Sequence, residues 1–130
     1  MNLPLRHEVF DQVARDIAHF DKAPAAFFRA WKRGVEIAGA QWFGDGTEEG
    51  LRRAKTKWDL RPNLLLANDA LGVLSSGQKM FLSAMVSFYN DREGGAMLKR
   101  CGFHGLADFQ NLDLERRQVI ADLLLNYVGW

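Results

Sequence analysis

The chain has 130 residues, 48% of them hydrophobic and 25% charged, with a formal net charge of +1. That length suits one domain, 1–130, with enough buried surface for a core without metal or disulfide support. The charge gives no global pull toward nucleic acid or an anionic membrane, so any such function needs a local patch. The single cysteine, Cys101, excludes an intramolecular disulfide. Charges and Pro4 interrupt the first eight residues, so no signal sequence is read there. The longest apolar run, around residues 80–89, is broken by Ser83 and Ser87 and falls short of the ~18 residues that span a bilayer. The expectation is a cytoplasmic protein with no membrane partner.

In chain order, Val9, Val13, Ile17 and Phe20 recur at spacings of four, four and three, which marks one face of a first helix. Asp21 and Pro24 predict a break and a restart. Phe27, Trp31, Val35 and Ala38 then form the stripe of a second helix ending near Gly39. Gln41–Gly46 is a turn-rich loop carrying Trp42 and Phe43. Thr47 is a predicted N-cap for a helix bearing Glu48 and Glu49 in its first turn, with Leu51, Ala54 and Trp58 on its apolar face. Pro62 ends it, and Asn63 caps a short helix that closes near Gly72.

Ser75 and Gln78 fit a capping box. The helix that follows, about 78–89, is apolar nearly all round, which predicts the central buried helix. The run Asn90–Gly95 predicts its end, and a short helix over 96–101 closes on Gly102. Asp113 caps the last helix, with Val119, Ile120, Leu123, Leu124 and Tyr127 predicted to face inward. No stretch alternates as a strand would. The fold class is therefore all-α: one compact domain of about six to seven helices around the 78–89 helix.

Few residues carry a chemical signal. Arg52, Arg53, Lys55, Lys57 and Arg61, with Trp58 among them, could grip phosphate and stack a base. Against this, Glu48 and Glu49 lie four residues before Arg52 and Arg53, the order that favours self-paired helix charges. Gly44–Gly50 lacks the acidic positions of a calcium loop and the Lys-Ser/Thr ending of a phosphate loop. His7, His19 and His104 have no metal-ligand spacing, and neither a metal nor a cofactor is expected. Cys101 and His104 could form a thiol–base pair, although a buried inert thiol is the stronger reading. A large aromatic at position 130, after Gly129, is expected to fold back on its own domain, near Tyr127 and Trp42 or Phe43.

The leading expectation for function is a non-catalytic helical protein, in an accessory or regulatory role, that binds another macromolecule. A protein partner or self-association ranks first, with Trp42, Phe43 and Trp130 as candidate interface aromatics. A nucleic-acid-binding protein using the basic segment 52–61 ranks second. A small enzyme using Cys101 and His104 ranks third.

Overall fold

A computed structural model of the chain describes residues 6–130. It is all-α, as the periodicity requires. Six helices are described: α1 Arg6–Ala38, α2 Glu48–Arg53, α3 Leu64–Ala70, α4 Ser76–Tyr89, α5 Asp91–Arg100 and α6 Leu114–Asn126. Short 3-10 turns lie at Ala40–Trp42, Lys57–Leu60 and Leu106–Asn111. The described residues form no strand, only an isolated bridge between Phe43 and Pro62. No described helix is long and apolar enough to cross a membrane.

The caps predicted from sequence form where the side chains can reach. The Thr47 side chain accepts from the Gly50 N–H, Asn63 from Leu66 and Asp113 from Arg116. Ser75 and Gln78 close a reciprocal capping box. Each satisfies a backbone N–H that the first helical turn leaves without a partner. The seven consecutive residues Met80–Val86 of α4 are all buried, Ser83 included. Ser83 can sit there because its hydroxyl donates to the Lys79 carbonyl one turn back.

Three expectations about element boundaries need correction. Pro24 lies inside α1, and the helix runs through it without a break. Proline at position 24 removes the bond to the Phe20 carbonyl. Both residues are exposed, so that carbonyl faces solvent, while Ala23, Phe27, Ala30 and Trp31 anchor the helix beyond it. The Asn90–Gly95 run does not separate two helices by a loop. Asn90 ends α4 and caps α5 at once, its side chain accepting from the Glu93 N–H. Gly94 is then a buried helical residue at the α4–α5 crossing. The helix opened by Thr47 stops at Arg53 and gives way to the 3-10 turn at Lys57–Leu60. Trp58 therefore leaves the Leu51–Ala54 stripe and is 52% exposed.

α6 packs antiparallel on α1. Arg33 pairs with Glu115 at the start of α6, and the His19 ring lies 3.1 Å from the Leu125 carbonyl at its end. The core between α1, α4 and α6 is filled by Trp31, Phe81, Met85, Val119 and Leu123. Gly34 allows the close approach, since a Cβ there would press on the Met85 thioether and Val119. On α6, Asn126 takes a buried position, while Leu124 and Tyr127, expected inside, are exposed. α6 ends at Asn126, about two residues before the expected end near Val128, and the chain folds back from Tyr127.

Candidate interaction surfaces

The 127–130 segment is held by an aromatic cluster at one end of the core. Trp130 packs edge-on against Trp31 at 4.8 Å and Tyr89 at 5.0 Å, and also meets Trp58 and Phe27. Edge-to-face pairs at these separations are the favourable arrangement for ring quadrupoles. Lys57 fastens the segment: its ammonium donates to the Gly129 carbonyl at 2.8 Å and lies over the rings of Trp130 and Phe27. Partial burial holds the Lys57 pKa below the usual lysine value. Gly129 has φ +103°, the conformation that turns the chain back and that glycine adopts without strain. Trp130 thus docks in cis, on Trp31, Tyr89, Trp58 and Phe27 rather than on Trp42 or Phe43. Deleting Gly129 and Trp130 is expected to cost about 2 kcal/mol after the entropy of the terminus is counted, a fall in melting temperature on the order of 5–10 °C. An unchanged melting curve would show that the docked ring adds no net stability.

The other predicted interface aromatics divide. Phe43 is 1% exposed and packs edge-on against Trp31, so its ring has no surface to offer a partner. Trp42 is half-buried, with its indole N–H donating to the Ala38 carbonyl. The five basic residues do not converge on one face with free heads. Arg52 and Arg53 both pair with Glu49, so the same carboxylate serves the two cations. Lys57 is committed to Gly129. Lys55 and Arg61 are exposed on either side of Asp59. The Asp59 carboxylate accepts the backbone N–H groups of Lys55 and Thr56, and these bonds hold its pKa below the ordinary carboxylate value.

Trp58 stands between two clefts. One, of about 390 Å³, runs along α1 between Phe28 and Trp58 and is edged by Arg29 and Lys55. The other, of about 570 Å³, is lined by Asp45, Asp59, Arg61, Asn63 and Tyr89. The first gathers two aromatics and three cations, Arg29, Lys55 and Lys57, which no local sequence pattern connects, because Phe28 and Arg29 come from α1.

Cys101 is half-buried, with its sulfur 3.4 Å from the Ser83 hydroxyl. His104 is exposed, and its backbone N–H donates to Asp108. No contact joins the thiol to the imidazole among the interactions of the described residues. No group of three or more His, Cys, Asp or Glu is placed to hold a metal ion among those residues.

A run of open apolar surface lies on α1. Val9, Phe10, Val13, Ile17 and Phe20 are 44–59% exposed, although their spacing reads as a core face. The reason is length. α1 spans 33 residues, about 50 Å at 1.5 Å per residue. A compact domain of this size is roughly 35 Å across. α6 covers α1 only from about His19 onward, so the first 13 described residues, about 20 Å of helix, project past the body. The signal that could have revealed this was the continuity of the stripe. Phe10, Val13, Ile17, Phe20, Pro24, Phe27 and Trp31 form one unbroken three-four repeat across the supposed break. No other described helix exceeds 14 residues, so no single helix among the described residues covers that repeat end to end.

Comparison with family models, with curated proteins and with solved structures finds no match for this chain. The projecting half of α1 and the Trp58 clefts therefore stand on their own geometry.

Proposed function

We propose that this chain is a non-catalytic binding protein, accessory or regulatory in role, that engages another protein through the projecting half of α1. One observation carries the reading: Val9, Phe10, Val13 and Ile17 lie exposed on one helical face held out from the body, with exposed Phe20 at its edge. Contiguous apolar surface of several hundred Å² is rare on soluble monomers and marks interaction sites. A helix presenting anchors at three-four spacing is the form in which a helical surface is recognised in a groove or by another helix.

A second reading is favoured by the Phe28–Trp58 cleft. Arg29 and Lys55 beside two aromatic faces suit an anionic, stackable ligand such as single-stranded nucleic acid. The two are separated by one capture experiment from the native host, with tagged chain as bait and both proteins and nucleic acids identified. Wild type is expected to retain a protein, an untagged copy of this chain included, and Phe10→Asp is expected to lose it. Retention of nucleic acid alone, weakened by salt and abolished by Lys55→Glu but not by Phe10→Asp, would overturn the first reading in favour of the second.

A further inference from the structure

The occupant of the projecting helix can be named from the shape of the molecule. α1 overhangs the body, and beneath it the end of α6 forms a ledge. The Leu125 carbonyl meets His19, and the Tyr127 ring lies 5.6 Å from Phe27, so the ledge sits beside residues 19–27 of α1. Leu125, Tyr127 and Val128 are 39–59% exposed on it. The open stripe of α1 continues the repeat that docks on the body through Phe27 and Trp31, and the ledge meets that repeat at Phe27, so the overhang begins where the ledge ends.

We infer that a second copy of this chain covers this overhang, with the two α1 helices antiparallel about a two-fold axis near Arg15. This rests on the reading of α1 as a protein-binding face and names its partner. The sequence of the overhang is self-complementary in that register. Phe10 of one copy meets Phe20 of the other at each end, and Val13 meets Ile17 in the two layers between. Antiparallel pairing brings the tip of each overhang, residues 6–10, onto the partner's residues 20–24, where the ledge stands. Each copy thus supplies both the overhang and the ledge that receives it, as an isologous two-fold contact requires. His7 falls opposite Asp21 of the second copy, and Ala14 opposite its own counterpart, which lets the backbones approach.

The area agrees. A fully exposed aromatic ring presents ~150–250 Å², and an aliphatic side chain somewhat less. At the exposures of the stripe and the ledge, the apolar surface amounts to roughly 600–700 Å² per copy. A standard stable interface needs about 800 Å² per partner, which the polar flanks of two packed helices make up. The feature that weakens the contact is Asp16, which faces its own counterpart across the axis opposite the Ala14 side.

Sedimentation of the full chain over the micromolar range tests this directly. Wild type is expected to run as a dimer. Ile17→Asp, which places a carboxylate in two symmetric apolar layers, should weaken the dimer at least about a hundred-fold and leave a monomer. Ile17 is off the core, so far-UV circular dichroism and the melting curve of that monomer at low concentration should match wild type. The geometry is tested separately in a Cys101→Ser background. Ala14→Cys should give a disulfide-linked dimer on mild oxidation, whereas Gln12→Cys, on the outer side of the helix, should not. A wild-type monomer throughout the range overturns the inference, as does a dimer that survives Ile17→Asp or one that cross-links through Gln12→Cys alone. A monomeric wild type that still captures a different protein in a Phe10-dependent way sinks the second-copy inference while leaving the binding reading intact. Loss of all Phe10-dependent protein binding sinks both.

Discussion

Trp31→Ala is expected to leave the chain largely unfolded at physiological temperature. Trp31 is 0% exposed and is the hub of the aromatic cluster, stacked on Phe27 and edge-on to Phe43 and Trp130. Its indole N–H donates to the Leu60 carbonyl at 2.9 Å, which ties α1 to the 3-10 turn that carries Lys57 and Trp58. Removing the ring costs about 3–5 kcal/mol for lost burial and the remaining cavity. Leaving the Leu60 carbonyl buried without its donor adds about 1–3 kcal/mol. Domains of this kind are stable by only ~5–15 kcal/mol, so most of the folding free energy is lost. Urea unfolding followed by far-UV circular dichroism checks this. Trp31→Phe keeps part of the packing but loses the rest together with the hydrogen bond, so its midpoint should fall between those of wild type and Trp31→Ala. A loss below about 2 kcal/mol for Trp31→Ala would show that the cluster is not a cooperative part of the core.

The second large effect separates packing from helix propensity within adjacent residues. Gly94 and Gly95 are both interior residues of α5. By propensity alone, alanine at either should stabilise the helix by about 0.5–1 kcal/mol. A Cβ on Gly94, however, would fall on the Ser87 Cα and backbone nitrogen, and neither atom can move without displacing α4. Gly94→Ala is therefore expected to destabilise by about 2–4 kcal/mol, because α4 and α5 must separate. A Cβ on Gly95 meets nothing within 4 Å, so Gly95→Ala should stabilise by about 0.5–1 kcal/mol. Thermal unfolding of the two variants gives opposite signs if the helix crossing is as described. A stabilised Gly94→Ala would show that α5 stands farther from α4.

The same glycine pair shows why parts of the fold were illegible in one dimension. Two consecutive glycines after a polar run look like a terminator, because the local cost of glycine in a helix is the only term a sequence window contains. The compensating term is the close approach of α4, which belongs to residues 76–89 and enters only when the two helices cross. Pro24 misleads in the same way. Its local penalty is real, but the anchoring of Ala23, Phe27 and Trp31 on the body outweighs it, and the orphaned Phe20 carbonyl is left on the wet side. Trp58 was misplaced for a related reason: its spacing from Ala54 is helical, but the helix had already ended at Arg53.

The candidate surfaces divide along the same line. The cations at 52, 53, 55, 57 and 61 are plain in the sequence, but their engagement is not. Glu49 serves Arg52 and Arg53 through helical proximity, which periodicity anticipates in kind, whereas Lys57 is claimed by Gly129, 72 residues away. The cleft at Trp58 needs Phe28 and Arg29 from α1, which no local pattern connects to it.

What the sequence by itself determined were the quantities with short-range causes. The all-α class follows from periodicity. The caps at Thr47, Asn63, Ser75 and Asp113 follow from side chains that reach their own backbone within three residues. The burial of α4 follows from its lack of any polar face. Only the tertiary structure decided which apolar stripes are covered. A stripe records that a helix has something to bury, but not whether a partner of sufficient length exists. α6 reaches Phe27 and Trp31 and stops at Asn126, so one repeat is core at its C-terminal end and open surface at Phe10, Val13 and Ile17.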